Sequence, residues 1–159
     1  MTIRIICVGR LKEKYLQAAV AEYSKRLSAY CRLEVIEVRD EKITEAFSPA
    51  EKERAVAAEG ERILKHLRPG SLVVCLKING KQMTSEAFAE NINQLALSGK
   101  SDLTFIIGGS LGLSKDVQKQ SKWDLSFSKM TFPHQLFRVI LLEQIYRSFK
   151  IIRNETYHK

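Results

Sequence analysis

At 159 residues the chain is long enough for one domain with a core that folds unaided, and no window holds the ~18 uninterrupted apolar residues that a membrane span needs. Its 26 Lys and Arg against 18 Asp and Glu give a formal charge of +8, which favours a polyanionic partner without establishing one. Half of that excess falls after residue 128, where Lys129, Arg138, Arg147, Lys150, Arg153 and Lys159 face only Glu143 and Glu155.

The N-terminus runs straight into a β-branched segment, residues 3–8, with no small-residue cleavage site before it, so a cytoplasmic protein is expected. A helix over residues 14–29 follows, with Leu16, Ala19, Val20, Tyr23, Leu27 and Tyr30 at helical spacing. Residues 33–38 alternate apolar and acidic side chains, which predicts a strand with one wet face near the edge of a sheet. Residues 39–47 are polar and charged, a solvated and mobile connection. Ser48-Pro49-Ala50-Glu51 then has the form of a capping box with Pro at the first helical position, and that helix is expected to reach Leu67 before Pro69-Gly70.

A third strand over residues 72–77 precedes Asn79-Gly80, a turn signal. The next helix starts at Thr84 or Ser85, turns Phe88, Ile92, Leu95 and Ala96 to the core and stops at Gly99. Residues 103–107 form a fourth apolar strand, residues 114–121 a short helix, and residues 123–127 a fifth strand. The last helix runs from Pro133 or His134 to Phe149 and is apolar around most of its circumference, so one side should pack on the sheet and the other on a second subunit. Strands alternating with helices imply an α/β fold in a single domain, residues 1–159, with a mainly parallel sheet flanked by helices. Ligands of such sheets bind beyond the carboxyl ends of the strands.

The loops at those ends carry the chemistry. Gly108-Gly109-Ser110-Leu111-Gly112 satisfies G-x-S-x-G, and Asp124 with His134 or His158 downstream completes the chain order of a serine hydrolase. Neither nucleotide-binding glycine fingerprint is met. Three glycines within five residues either make a tight turn or let a ligand approach the backbone. His66, His134 and His158 are scattered without a second ligand at helical spacing, so no metal site is expected. Cys7, Cys31 and Cys75, an odd number without CxxC spacing, read as small core hydrophobes.

Several stretches together resemble one family. They are Val8-Gly9-Arg10-Leu11-Lys12, Glu59-Gly60, Phe105-Ile106-Ile107-Gly108-Gly109-Ser110-Leu111-Gly112-Leu113, Leu125-Ser126-Phe127-Ser128-Lys129-Met130-Thr131-Phe132-Pro133-His134-Gln135, the helix from Arg138 to Tyr146, and the end Tyr157-His158-Lys159. Over essentially its whole length the chain is similar to the ribosomal RNA large subunit methyltransferase H family, small enzymes of the SPOUT class.

The resemblance implies S-adenosyl-L-methionine-dependent methylation of N3 of a pseudouridine in 23S ribosomal RNA on the assembled ribosome. It also implies a homodimer and a C-terminal trefoil knot, which general rules of chain threading would not predict. Carried over by residue, the cofactor positions are Leu76, Gly108, Phe127, Ser128, Lys129, Met130, Thr131 and Phe132. His158 is the candidate base or orienting group, Tyr157 the group that stacks on or fixes the target base, and Arg138 a candidate for stabilising the anionic base. Arg138, Arg147, Arg153 and Lys159 are candidates for phosphate contacts, and His134 is a weaker catalytic candidate. A composite site, one subunit's tail reaching RNA beside the other's cofactor, fits a chain with no separate RNA-binding domain. A serine hydrolase and a basic ribosome-binding module without turnover are the alternatives.

Overall fold

A computed structural model describes residues 1–157. Among them the order is β1 (Thr2–Val8), α1 (Lys14–Leu27), β2 (Arg32–Val38), α2 (Pro49–Leu64), β3 (Leu72–Gln82), α3 (Ser85–Leu97), β4 (Asp102–Ile107), α4 (Lys115–Gln120), β5 (Trp123–Ser126) and α5 (His134–Ile152). The strands form one sheet in the order β2-β1-β4-β3-β5, and every neighbouring pair is parallel.

Sequence pattern explains the placement of each strand. β1 and β4 are continuous apolar runs, and both lie in the interior of the sheet, where each face is covered. Alternate residues divide between two cores. Ile5, Cys7, Val74, Phe105 and Ile107 pack with Leu27, Phe88, Ile92, Leu141 and Ile145 of α1, α3 and α5. Ile6, Val8, Val73, Cys75 and Ile106 face the other way, onto Ile63 of α2 and Val117 of α4. β2, with its alternating acidic residues, is the edge strand expected. Its Glu34 accepts two bonds, at 3.0 and 2.9 Å, from the buried guanidinium of Arg4.

The capping box forms as predicted: the Ser48 hydroxyl accepts from the Glu51 N–H, and the Glu51 carboxylate accepts from the Ser48 N–H. Helix ends differ in detail. α1 stops at Leu27 and α2 at Leu64, where i+3 bonds from His66 and Leu67 tighten the chain before Pro69. α5 extends to Ile152 and ends only as Asn154 takes a positive φ of 53°.

The largest departure is at Asn79-Gly80, which does not turn. β3 runs through it to Gln82, and Leu76 and Lys81 both pair with Leu125, so the irregularity is a bulge. Gly80 is needed for close approach, since a Cβ there would stand 2.6 Å from the Leu125 carbonyl carbon. The three cysteines are free and buried, and burial pushes the Cys7 thiol up to about 12 and the Cys31 thiol up to about 11, in keeping with a packing role.

Candidate functional site

A cavity of about 770 Å³ opens at the carboxyl ends of β3, β4 and β5. Its walls are residues 76–79 of β3, at the bulge, the loop at residues 108–113, Gln118, the segment at residues 126–134 and Phe137 of α5. The volume lies within the usual ~300–1,000 Å³ of small-molecule sites.

The glycine loop is a tight reversal. Gly109 and Gly112 form an isolated antiparallel bridge, the Gly112 N–H donates to the Gly109 carbonyl at 3.1 Å, and Gly112 has a φ of +83°. The fold back brings Gly112 against Gly108 so closely that a Cβ on Gly108 would lie 2.9 Å from the Gly112 backbone. Only a bare backbone fits there, so the Gly108 peptide can face the cavity. Ser110 is exposed at the tip of the reversal, and α4 begins later, capped by the Ser114 hydroxyl, which accepts from the Val117 N–H. A nucleophile elbow would need the strand to pass directly into its helix. Asp124 is bound to Lys77, and among the described residues no hydrogen bond joins Ser110 to a histidine. The hydrolase reading therefore fails on geometry.

The second wall is held by its own hydroxyls and rings. The Ser126 hydroxyl donates to the Ser128 carbonyl, the Ser128 hydroxyl accepts from the Met130 N–H, and Phe127 and Phe132 lie 5.0 and 5.9 Å from Phe137 between ring centres. Leu76, Gly108, Phe127, Ser128, Met130, Thr131 and Phe132 all line the cavity. Lys129 does not; it is exposed.

Opposite stands a polar group that sequence reasoning missed. Lys77 donates to Asp124 at 2.8 Å and to Gln118 at 2.9 Å, and Gln118 donates to the Leu113 carbonyl at 2.7 Å. Burial opposes ionisation of Asp124, but the bonds from Lys77 and Ser121 outweigh it and hold the carboxyl below its ordinary range.

His134 lines the cavity at the start of α5. Its Nε2 would be 3.6 Å from a Cβ on Gly9, with the Asp40 carboxyl carbon 3.8 Å from the same point. Burial and then the Arg138 charge push the imidazole below its usual value, and Asp40 opposes them.

Arg138 is not on an RNA-facing surface of this chain. It is 2% exposed, with its guanidinium bound to Glu37 at 2.6 Å and to the carbonyls of Val8 and Gly9. Other basic residues near the C-terminus also have partners: Arg147 pairs with Glu143 at 2.5 Å, Lys150 pairs with Glu155 at 2.5 Å, and Arg153, exposed, lies 4.6 Å over the Tyr30 ring.

Tyr157 sits well away from the cavity of its own chain. Its hydroxyl donates to Glu143 at 3.1 Å, its ring meets Tyr146 edge-on at 4.9 Å, and Arg147 covers it at 4.8 Å. Burial first, then hydrogen bonding to Tyr23, raises the phenol, which stays protonated. Glu143 is nine residues along α5 from His134, about 14 Å at the helical rise. His158 and Lys159 lie outside the described residues.

The polar connection at residues 39–47 is pinned to α2. Arg62 donates to the Arg39 carbonyl and pairs with Glu41, while the Glu41 N–H donates to Glu59 at 2.9 Å. Glu59 is 3% exposed, its Oε2 lacks a partner, and it would lie 3.0 Å from a Cβ on Gly109. A buried carboxyl behind the glycine loop gives no local sequence signal, because Glu59 sits mid-helix among other charges. Among the described residues no group of three or more His, Cys, Asp and Glu side chains could hold a metal ion, and no helix is long and apolar enough to cross a membrane.

Comparison with known proteins gives concordant results. The family model described as Predicted SPOUT methyltransferase matches residues 1–158. A Methanococcus maripaludis protein provisionally named ribosomal RNA large subunit methyltransferase H is 62% identical over all of both chains. Proteins named ribosomal RNA large subunit methyltransferase H from Carboxydothermus hydrogenoformans and Clostridium kluyveri are 58% and 57% identical, again over all of both chains. A solved structure from Neisseria gonorrhoeae, assigned to a methylase family, superposes with a TM-score of 0.54 at 14% identity, over 91% of this chain and 81% of that one. At that identity it speaks to the fold alone.

Proposed function

The chain belongs to the SPOUT methyltransferase family, and we propose that it is an S-adenosylmethionine-dependent enzyme that methylates N3 of a pseudouridine in the ribosomal RNA of the assembled large subunit. The observation that carries this reading is the cavity, in which seven of the eight carried-over cofactor positions form a continuous lining. A ribosome-binding module without turnover has no use for such a cavity.

The lining suits the cofactor. Leu76, Phe127, Met130 and Phe132 offer apolar surface to a flat heterocycle, and the Gly108 backbone, closed to any side chain, offers its peptide groups to polar edges. When bound, S-adenosylmethionine supplies a methyl group already activated on a sulfonium. What remains for the chain is to align the target nitrogen, exclude water and accept the N3 proton. The 126–134 segment, braced by Ser126, Ser128 and the Phe127, Phe132 and Phe137 rings, orients the bound molecule. Lys77, clamped by Asp124 and Gln118, places fixed positive charge on the opposite wall, where it favours an anionic base.

The protein acts as a homodimer in the cytoplasm, where ribosomes are. α5 supports the dimer: Leu136 is 38% exposed, and Val139 and Ile140 are only partly covered, on the side away from its buried face. Tyr157 docks on Glu143, about 14 Å along α5 from His134, and in this reading the tail of residues 157–159 serves the partner's cavity. A trefoil knot is part of the same reading, at the crossover that carries the chain from β4 past β3 to β5.

Incubating ribosomes with the protein and methyl-labelled cofactor tests the proposal. Label should enter large-subunit RNA at N3 of one pseudouridine; absence of incorporation, or label on protein alone, would overturn it. An ester substrate with wild-type and Ser110→Ala protein should show no turnover in either.

A further inference from the structure

The reaction proposed above removes a proton from N3, so the cavity needs a group able to accept it. Among the described residues that line the cavity, Lys77 and His134 are the side chains that titrate as bases. Lys77 is a cation held between Asp124 and Gln118 and has no lone pair to offer. His134 stands at the mouth of the glycine loop's facing wall, partly buried.

Resting on that functional reading, we propose that His134 is the general base that takes the N3 proton, with the nearby Asp40 carboxylate as the charge that favours its protonated form. The Asp40 carboxyl and His134 Nε2 converge on the same point above Gly9, at 3.8 and 3.6 Å. With a proton on one ring nitrogen, the other is free to accept. The fixed charges around the ring are Asp40 from the connection after β2, Arg138 from α5 and, through Arg138, Glu37 from β2; Lys77 of β3 lines the same cavity.

The step balances. His134 takes the N3 proton as the base nitrogen gains the methyl carbon. The carbon–sulfur bond that breaks leaves its electron pair on sulfur, so the positive charge lost by the sulfonium is the one the imidazolium gains. Asp40 favours that imidazolium, while burial and the charge of Arg138, which bonds Glu37, Val8 and Gly9, keep the resting ring neutral and ready to accept.

Single-turnover methylation of ribosomes, measured against pH at saturating cofactor, tests this. Wild-type rate should rise through an acid limb as His134 loses its proton. His134→Gln should lose that limb and fall about 100-fold, with cofactor affinity by calorimetry within about twofold of wild type; exogenous imidazole should restore part of the rate to His134→Ala. Asp40→Asn should move the limb to lower pH, because Asp40 holds the imidazole value up, and a purely structural contact would not move it. If His134→Gln does not fold, Asp40→Asn decides alone. An unmoved limb in Asp40→Asn, a retained limb in His134→Gln, or a limb lost in His158→Gln and kept in His134→Gln each overturn the assignment. Failure of wild-type protein to methylate at all would instead reject the function on which it rests.

Discussion

Arg138 Nη2 donates to the Gly9 carbonyl at 2.6 Å and to the Val8 carbonyl at 3.1 Å, tying the first turns of α5 to the end of β1. The same guanidinium bonds Glu37 of β2, so one side chain joins three elements beneath the site. Removing it takes a donor from two carbonyls and leaves the Glu37 carboxylate only the Leu11 N–H and no counter-charge. Arg138→Ala should therefore cost about 3 kcal/mol of stability, read as a lower urea midpoint, and Arg138→Lys should recover only part because an ammonium lacks the fork. If Arg138 served RNA instead, both variants would keep wild-type stability and lose only ribosome affinity.

α2 and α4 meet where Gly60 faces Ser114. A Cβ on Gly60 would overlap the Ser114 hydroxyl and stand 2.8 Å from its Cβ. Gly60→Ala should destabilise by about 1–3 kcal/mol through overpacking, compounded by displacing the hydroxyl that caps α4. Adding Ser114→Gly should return much of the loss, since glycine makes room and is itself a tolerated cap. A double-mutant cycle in thermal unfolding checks the coupling, and strict additivity would count against this account.

Much of this architecture was legible in local patterns. The wet face of β2 predicted an edge strand, and Ser48 to Glu51 predicted a capping box. What local patterns could not carry was pairing at a distance. Asn79-Gly80 has the chemistry of a turn, and only the approach of Leu125 from β5 holds it in a bulged strand. Arg138 reads as a surface charge until its three acceptors, from β1, the residue after it and β2, are seen around it. The two glycine- and serine-bearing loops singled out in the sequence line the cavity, whereas Lys77 and Gln118, which line it too, and Asp124, which holds Lys77, are brought together by the strand order and have no motif.

The reversal at residues 108–112 sets a sharp test of the cofactor site. Gly108→Val would thrust a branched side chain into the Gly112 backbone, 2.9 Å away, and force the loop outward. Calorimetry with S-adenosylmethionine should show binding lost while far-ultraviolet circular dichroism stays that of the wild type. Wild-type affinity in a folded variant would remove this loop from the site.

Glu59 gives stability a pH dependence of its own. Burial raises its carboxyl; the Glu41 N–H bond and Arg62 oppose this only in part, and the Asp40 and Glu41 charges add to it. As pH rises the unfolded chain ionises first, near about 4.3. The stability this group contributes is therefore fully present below that value and is lost as pH rises through the higher folded value. Glu59→Gln keeps an acceptor for the Glu41 N–H but cannot ionise. Its urea midpoint, compared with wild type, should improve between about pH 4 and pH 7. A constant difference across that range would show that Glu59 does not titrate in it.

The position of Tyr157 makes the tail's role separable from that of the cavity. Its ring rests on Tyr146 and its hydroxyl on Glu143, about 14 Å along α5 from His134. On the dimeric reading proposed above, a tail that starts there acts in the cavity of a second copy. A chain lacking residues 157–159 keeps its cavity, and a Gly108→Val chain keeps its tail, so each homodimer should be inactive. Mixed before refolding, the two should form heterodimers in which the truncated chain's cavity receives the other chain's tail. One working site per heterodimer then returns about a quarter of wild-type activity, because half of the dimers are mixed and each has one of two sites intact. If the tail served its own cavity, neither site of the heterodimer would be complete and mixing would restore nothing. Analytical ultracentrifugation of the mixture confirms that dimers have formed, so an inactive mixture of dimers decides against exchange of tails between subunits.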